Sequence, residues 1–269
     1  MKILPEDKFD FVKPFFENIR YNLLIDSILN KNTIGRIYVD DVNFPTFAMI
    51  WTYTDSIIIG GNITNGDDLS STFEEELFPT FKTWKIPYLI VYHDAKNPGL
   101  KSEIINIFDE MTFSEMDRVY FEFDKPAYFP DIKNYDDIQV LKIDNDILNM
   151  KNINEIDDLN GWVRSFWKTE EDFFKYGSGY CIIKDKTFVS WCITVYSNDN
   201  ERELGLYTVE KYRKKGYASF VAASVINDLI KRNLNPHWHC RVDNEPSLLL
   251  AKKIGFKNPH NYKTLKMIF

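Results

Sequence analysis

The apolar and polar positions of this chain fall into two successive blocks that read alike. In the first block, strand-like runs cover Gly35 to Asp40, Thr46 to Thr52 and Ser56 to Gly60. Short Asn, Pro and Asp turns separate them, as in an antiparallel meander. A helix is expected from about Asp68 to Trp84, a strand at Tyr88 to Tyr92, a helix at about Lys101 to Met111 and a strand at Arg118 to Phe123. The second block opens with a strand at Ile138 to Ile143 and helical material through about Phe174. Strands follow at Gly179 to Lys184 and Thr187 to Tyr196, joined at Asp185-Lys186, which suits a tight hairpin turn although the second residue is not glycine. A third strand runs from Glu203 to Val209.

The helix after that strand has the clearest signature. Ala218, Val221, Ala222, Val225, Ile226, Leu229 and Ile230 recur at the spacing of one helical face, and Asn233 suits a left-handed stop. One face must therefore be buried. A strand at Pro236 to Val242, a helix from Pro246 to Gly255 and a last strand at Lys263 to Ile268 complete the block. Both blocks thus read strands, helix, strand, helix, strand, which implies duplication of one α/β module. Prolines and turn formers gather between Asp124 and Asp137, so the domain boundary is expected near residue 130, giving domains 1–130 and 131–269. The fold class expected is α/β (α+β), a mixed, mostly antiparallel sheet flanked by helices in each domain.

Composition narrows the possibilities. Hydrophobic residues make up 44% of the 269, which is enough for a full core and excludes a disordered chain. A net charge of −7 argues against a phosphate backbone as partner, so no nucleic acid is expected. No stretch approaches the ~18 uninterrupted apolar residues of a membrane helix. Met1 to Lys8 lacks the apolar core of a signal peptide, and three cysteines, Cys181, Cys192 and Cys240, lie in apolar runs that suit a reducing compartment. A cytoplasmic protein is expected.

Candidate chemistry lies in the turn Glu210-Lys211-Tyr212-Arg213-Lys214-Lys215-Gly216-Tyr217-Ala218-Ser219, between a strand and the long helix. A glycine and small residues there let backbone N–H groups converge on a phosphate, and the helix N-terminus adds favourable potential. An ordinary solvated basic turn reads the same way on its own. The order of residues is neither a P-loop nor a dinucleotide fingerprint.

Arg213-Lys214-Lys215-Gly216-Tyr217-Ala218 resembles the Arg/Gln-x-x-Gly-x-Gly/Ala signature of the GNAT superfamily of N-acetyltransferases. Pro236 to Cys240, followed by Asn244, Ser247, Ala251 and Ile254-Gly255-Phe256, is similar to that superfamily's fifth strand and closing helix. Trp167, Asp172-Phe173, Gly177, Ser190-Trp191-Cys192 and Glu203-Leu204-Gly205 with Thr208 resemble a bacterial subgroup with two domains, and Gly35 to Asp41 and Ala48 to Gly60 resemble its N-terminal domain.

The resemblance implies two tandem GNAT-like domains, of which the second binds acetyl-CoA and passes the acetyl group to an amine, either a small molecule or a peptide. It assigns the pyrophosphate to Arg213, Lys214, Lys215, Gly216, Tyr217, Ala218 and Ser219, and the pantetheine arm to Thr208 and Val209, with an N–H there polarising the thioester carbonyl. Asn244 and Ser247 are placed beside the arm or the reacting end, and Glu203 is the candidate base, against a plain reading as a solvated glutamate at a strand start.

Two departures matter. Ala251 stands where many members carry the tyrosine that protonates the leaving thiolate, which leaves Tyr207, Tyr212 and Tyr262 as substitutes. The first domain has no signature counterpart, since Gly60 to Asp68 ends in two aspartates that favour helix capping and repel phosphate. His237 and His239 share one face of a strand, but Cys240 points away and no third ligand is evident. They are read as acceptor-pocket or packing residues, and no metal is expected. The rival functions are a silent GNAT-like module that binds acyl-CoA or a protein partner, and a nucleotide-binding regulator.

Overall fold

The computed structural model describes residues 1–124 and 138–269. The expected boundary near residue 130 lies outside the described residues. By contact the described chain divides into one unit of Met1–Arg118 with Tyr262–Phe269, and a second of Val119–Asn261. The last eight residues therefore belong with the first unit, an arrangement that no single cut in the sequence reproduces.

The first unit contains β1 (Lys2–Ile3), α1 (Leu23–Leu29), β2 (Arg36–Val39), β3 (Phe47–Trp51), β4 (Ser56–Gly61), α2 (Gly66–Thr72), α3 (Phe78–Trp84), β5 (Tyr88–His93), α4 (Pro98–Ile107) and the start of β6 (Thr112–Phe123). β2, β3 and β4 form the antiparallel meander, and β4 pairs with β5 in parallel. Glu6–Ile19 is a 3-10 helix that buries Phe9, Val12, Phe16 and Ile19. Together with α1 it occupies a stretch to which the sequence reading assigned no element. The single helix expected from Asp68 to Trp84 is interrupted at Phe73–Leu77 by a π turn before Pro79. Proline cannot donate the i→i−4 bond, and a wider turn accommodates that loss.

The second unit contains the end of β6, β7 (Gln139–Lys142), α5 (Asn145–Leu148), α6 (Ile156–Phe166), α7 (Glu170–Tyr176), β8 (Gly179–Lys184), β9 (Thr187–Ser197), β10 (Glu201–Thr208), α8 (Tyr217–Lys231), β11 (Asn235–Arg241), α9 (Glu245–Lys253) and the start of β12 (Phe256–Ile268). β7 to β10 are antiparallel neighbours, and β11 joins β10 in parallel. Asp185 and Lys186 both have positive φ, 50° and 53°, so the hairpin uses a primed turn without glycine. Asn233, at φ 56°, ends α8 as its composition predicted.

Strand order shows an exchange. β12, which follows β11 in sequence, lies beside β5 of the first unit, where Leu265–Ile268 pairs with Tyr88–Val91. β6, which follows α4, lies beside β11 of the second unit.

Alternation sorts the second unit's strands into two packed faces. Val119, Phe121, Cys192, Leu204, Trp238 and Cys240 lie with the buried face of α8, whose Val221, Ala222, Val225, Ile226 and Leu229 are inaccessible, while Ile230 is exposed. Trp191, Ile193 and Val195 point the other way, against Leu159 and Val163 of α6 and Phe173 of α7. Trp167 is buried with them, and its Nε1 donates to the Thr194 carbonyl at 2.7 Å. The period of two along β9 thus places one sheet face under α8 and the other under α6 and α7.

Candidate active site

The parallel ladder between β10 and β11 is short. It joins Glu201 to Asn235, Arg202 to Pro236 and Glu203 to His237, and then stops. β10 continues along β9 as far as Thr208 opposite Ser190, while β11 runs on to Arg241. In the first unit the corresponding pair, β4 and β5, is joined at four of the six positions of β4, whereas here three of eight are joined. Beyond Glu203 the inner edge of β10 therefore has backbone groups that no neighbouring strand among the described residues uses.

Alternation of the antiparallel ladder identifies these groups. The Val209 N–H donates to the Val189 carbonyl at 3.0 Å, so odd-numbered residues of this stretch turn their backbone toward β9, and Leu206 and Thr208 turn theirs toward the gap. Val209 also accepts from the Tyr212 N–H at 2.8 Å. This corrects one expectation: the Val209 N–H is taken by Val189 and is not on offer to a ligand.

The chain then enters the basic turn. Arg213 Nε donates to the Thr208 carbonyl at 3.1 Å and ties the turn to the strand end. Tyr212 is buried beneath Lys211 and Lys215, whose ammonium groups lie 5.0 and 5.2 Å from its ring centre. Lys214 and Gly216 both adopt left-handed backbone, at φ 63° and 82°. Holding lysine there costs roughly 1–2 kcal/mol, which only a constrained loop sustains. Such alternation of backbone handedness aims successive N–H groups at one point.

Gly216 starts α8 with no side-chain cap, and no acidic residue occupies the first turn. Of the first N–H groups, that of Ser219 returns to the Gly216 carbonyl at 3.0 Å. Those of Tyr217 and Ala218 precede any intrahelical partner, whereas the Arg213 N–H, like that of Ser219, is engaged within the chain, donating to the Glu210 carbonyl at 3.0 Å.

Asn244 and Ser247 stand together at the start of α9. Asn244 Oδ1 accepts from the Ser247 N–H at 3.3 Å, and Ser247 Oγ accepts from Trp238 Nε1 at 3.1 Å. Both have structural tasks, which leave the Asn244 amide N–H groups and the Ser247 hydroxyl hydrogen for other partners. Ala251 is completely buried in the core with Trp238 and Phe256, so this position supplies no acid. Of the substitute tyrosines, Tyr207 shares a strand face with Glu203 and packs 4.7 Å from Trp191. Tyr262 belongs to the first unit, where its hydroxyl accepts from Arg118 Nε at 3.1 Å.

At the point where the strands part, the sheet gathers more than the sequence reading foresaw. Glu203, His237 and His239 each present a ligating atom within 4.8 Å of the other two, which supplies the third group that the histidine pair lacked in sequence. Glu203 is 9% exposed and His237 8%. Burial lowers the His237 pKa and so favours the neutral ring, partly opposed by the charge of Glu201. Tyr120 of β6 stacks on both rings, 5.8 Å from His237 and 5.4 Å from His239, and on His260 at 4.7 Å. The His260 Nε2 in turn lies 2.9 Å from Glu122 Oε1. The sequence reading missed Tyr120. Its face was legible from the alternation with buried Val119 and Phe121, but the neighbour of its strand was not.

A family model described as GNAT acetyltransferase matches residues 13–265 of this chain. The chain belongs to the GNAT acetyltransferase family. It is accordingly an acyltransferase, of a family that generally uses acetyl-CoA and acts on amine acceptors. It is 25% identical over 270 residues to the uncharacterized N-acetyltransferase YdfB of Bacillus subtilis (strain 168), covering 96% of this chain and 95% of that protein. Among solved structures it resembles a GCN5-related N-acetyltransferase-like protein from Streptococcus suis, with a TM-score of 0.66, 21% identity and coverage of 97% and 98% of the two chains. A tandem GNAT protein from the clavulanic acid biosynthesis pathway matches with a TM-score of 0.56 at 8% identity, over 99% of this chain and 97% of that one. These likenesses extend the GNAT fold over the whole length. No helix among the described residues is long and apolar enough to cross a membrane.

Proposed function

We propose that this GNAT protein transfers the acetyl group of acetyl-CoA to an amine by direct attack in a ternary complex, using the parting of β10 and β11 in the second unit. The observation that carries the reading is that the parallel ladder stops at Glu203 and His237 while β10 leads straight into the basic turn and α8. Acetyl-CoA supplies the acetyl group as a thioester. The backbone N–H groups of Lys214 to Ala218, with the side chains of Arg213, Lys214 and Lys215 around them, bind the pyrophosphate. Leu206 offers the backbone that it turns toward the gap to the amides of the pantetheine arm, and Thr208, whose carbonyl is engaged by Arg213, offers its N–H to the developing oxyanion.

Glu203, in a buried position on β10, accepts the proton that the amine sheds as its nitrogen bonds to the acetyl carbon. The carbon–sulfur bond breaks with its electron pair on sulfur. An ordinary thiol leaves readily as thiolate, so the alanine at 251 is compatible with turnover. The same residue favours the second reading, a module that binds acyl-CoA without turning it over. The first unit binds no coenzyme in this proposal, because Asn65 caps α2 by accepting from the Asp67 N–H at 3.1 Å and Asp67 and Asp68 fill its first turn.

Thermal unfolding with acetyl-CoA, CoA and ATP, for wild type and Gly216→Glu, tests the coenzyme site. Ligand at a hundred times its Kd stabilises the wild type by about 2.7 kcal/mol, and the folded variant should gain nothing. A larger effect from ATP than from CoA, or none from either, overturns the assignment. Steady thiol release with an amine present then separates transfer from silent binding.

A further inference from the structure

We propose that Glu203, His237 and His239 form a binding site for a transition-metal dication of the zinc class. Two imidazoles and one carboxylate are a donor set that such ions accept, with three protein ligands leaving one position open. The sheet itself brings the donors together. Glu203 and His237 are ladder partners at the end of the β10–β11 pairing, and His239 lies two residues further along the same face of β11. Ligands held on strands are placed more sharply than ligands on loops.

The three ligating atoms already lie within 4.8 Å of one another. With metal–ligand bonds of about 2.0–2.2 Å, a side-chain adjustment of the order of 1 Å closes the set around one ion. Glu203 and His237 are more than nine-tenths buried, and the Nδ1 of His237 has no hydrogen-bond partner among the described residues. A cation would offset the cost of burying these polar groups together. Tyr120, stacked on both rings, holds them in place from β6.

A second consequence rests on the proposed acetyl transfer. Glu203 cannot both ligate a metal and accept a proton, so occupation of the site inhibits transfer. The binding itself is independent of that reading.

The experiment uses the full chain, freed of metal by dialysis against a chelator and titrated with Co(II), whose visible d–d absorption reports coordination by four or five ligands. Wild type should saturate with one Co(II) per chain. His239→Ala and the near-isosteric Glu203→Gln, each checked for a native circular dichroism spectrum, should bind at least ~10-fold more weakly. His260→Ala, which removes an exposed histidine outside the set, should bind like wild type.

Absence of saturable binding to wild type overturns the site, as does undiminished binding by a folded Glu203→Gln, which would leave the three groups as a hydrogen-bonded cluster only. With Zn(II), thiol release by wild type should stop at one equivalent and return on adding chelator. Unchanged release by the Zn(II)-loaded protein overturns the inhibitory role. A protein that binds Co(II) yet never releases thiol would refute the transfer reading and leave the metal site standing.

Discussion

A methyl group added at Gly205 tests how tightly β10 is held against β9 beside the proposed site. An alanine Cβ there would lie 2.4 Å from Val195 Cγ1 and 3.1 Å from Trp162 Cζ3. Val195 is buried and β-branched, so its methyl cannot swing aside without leaving its preferred rotamer. Trp162 is held in α6 by edge contacts with Phe166 and Trp191 at 5.9 and 6.0 Å. Overpacking of this kind costs about 1–3 kcal/mol. Gly205→Ala should therefore lower Tm by roughly 2–4 °C for each kcal/mol lost.

Val195→Ala removes the clashing methyl and by itself costs about 2 kcal/mol in lost burial and cavity. The double variant should be less destabilised than the sum of the two singles, with a coupling of at least ~1 kcal/mol. Urea unfolding followed by circular dichroism and tryptophan fluorescence measures all four proteins. Strict additivity, or a Gly205→Ala protein as stable as wild type, would refute the packing argument.

Two further expectations follow from charge and burial. Glu115 is held down to about 2 by hydrogen bonds from Lys101 and Lys263 and by their charges, well under its ordinary 4.5. A depressed carboxylate contributes stability that is complete above about 4.5 and lost as pH falls toward 2. Glu115→Gln should flatten the acid limb of a stability–pH curve in that window, and an unchanged limb would show the pair to be inert. Burial pushes the Cys181 thiol up to about 12 and raises that of Cys192, and Cys240 is buried too. A thiol-reactive disulfide should find none of the three at neutral pH until denaturant is added. Prompt labelling of any one would contradict its burial.

Much of the local architecture was legible in sequence because it depends on neighbours along the chain. The meander, the face of α8, the stop at Asn233 and the turn at Asp185-Lys186 follow from alternation, helical spacing and left-handed backbone preference. The position of the basic turn between a strand and the long helix was legible as well, because Gly216 precedes the periodic apolar face of α8. What misled was fine backbone direction: Val209 was assigned to the ligand edge, but one residue of offset turns its N–H toward Val189. The 3-10 helix and α1 near the N-terminus went unassigned, although Phe9, Val12, Phe16 and Ile19 recur at near-helical spacing around Pro14.

By itself, then, the sequence determined the succession of elements from β2 onward and the family, which are written in residues close to one another along the chain. Tertiary structure decided which strands became neighbours. β6 lies beside β11, β12 ends beside β5, and the β10–β11 ladder stops at Glu203, so that a carboxylate, two histidines and Tyr120 meet at one point. Strand partnership across more than a hundred residues depends on competing packing of whole faces, and no local periodicity encodes that outcome.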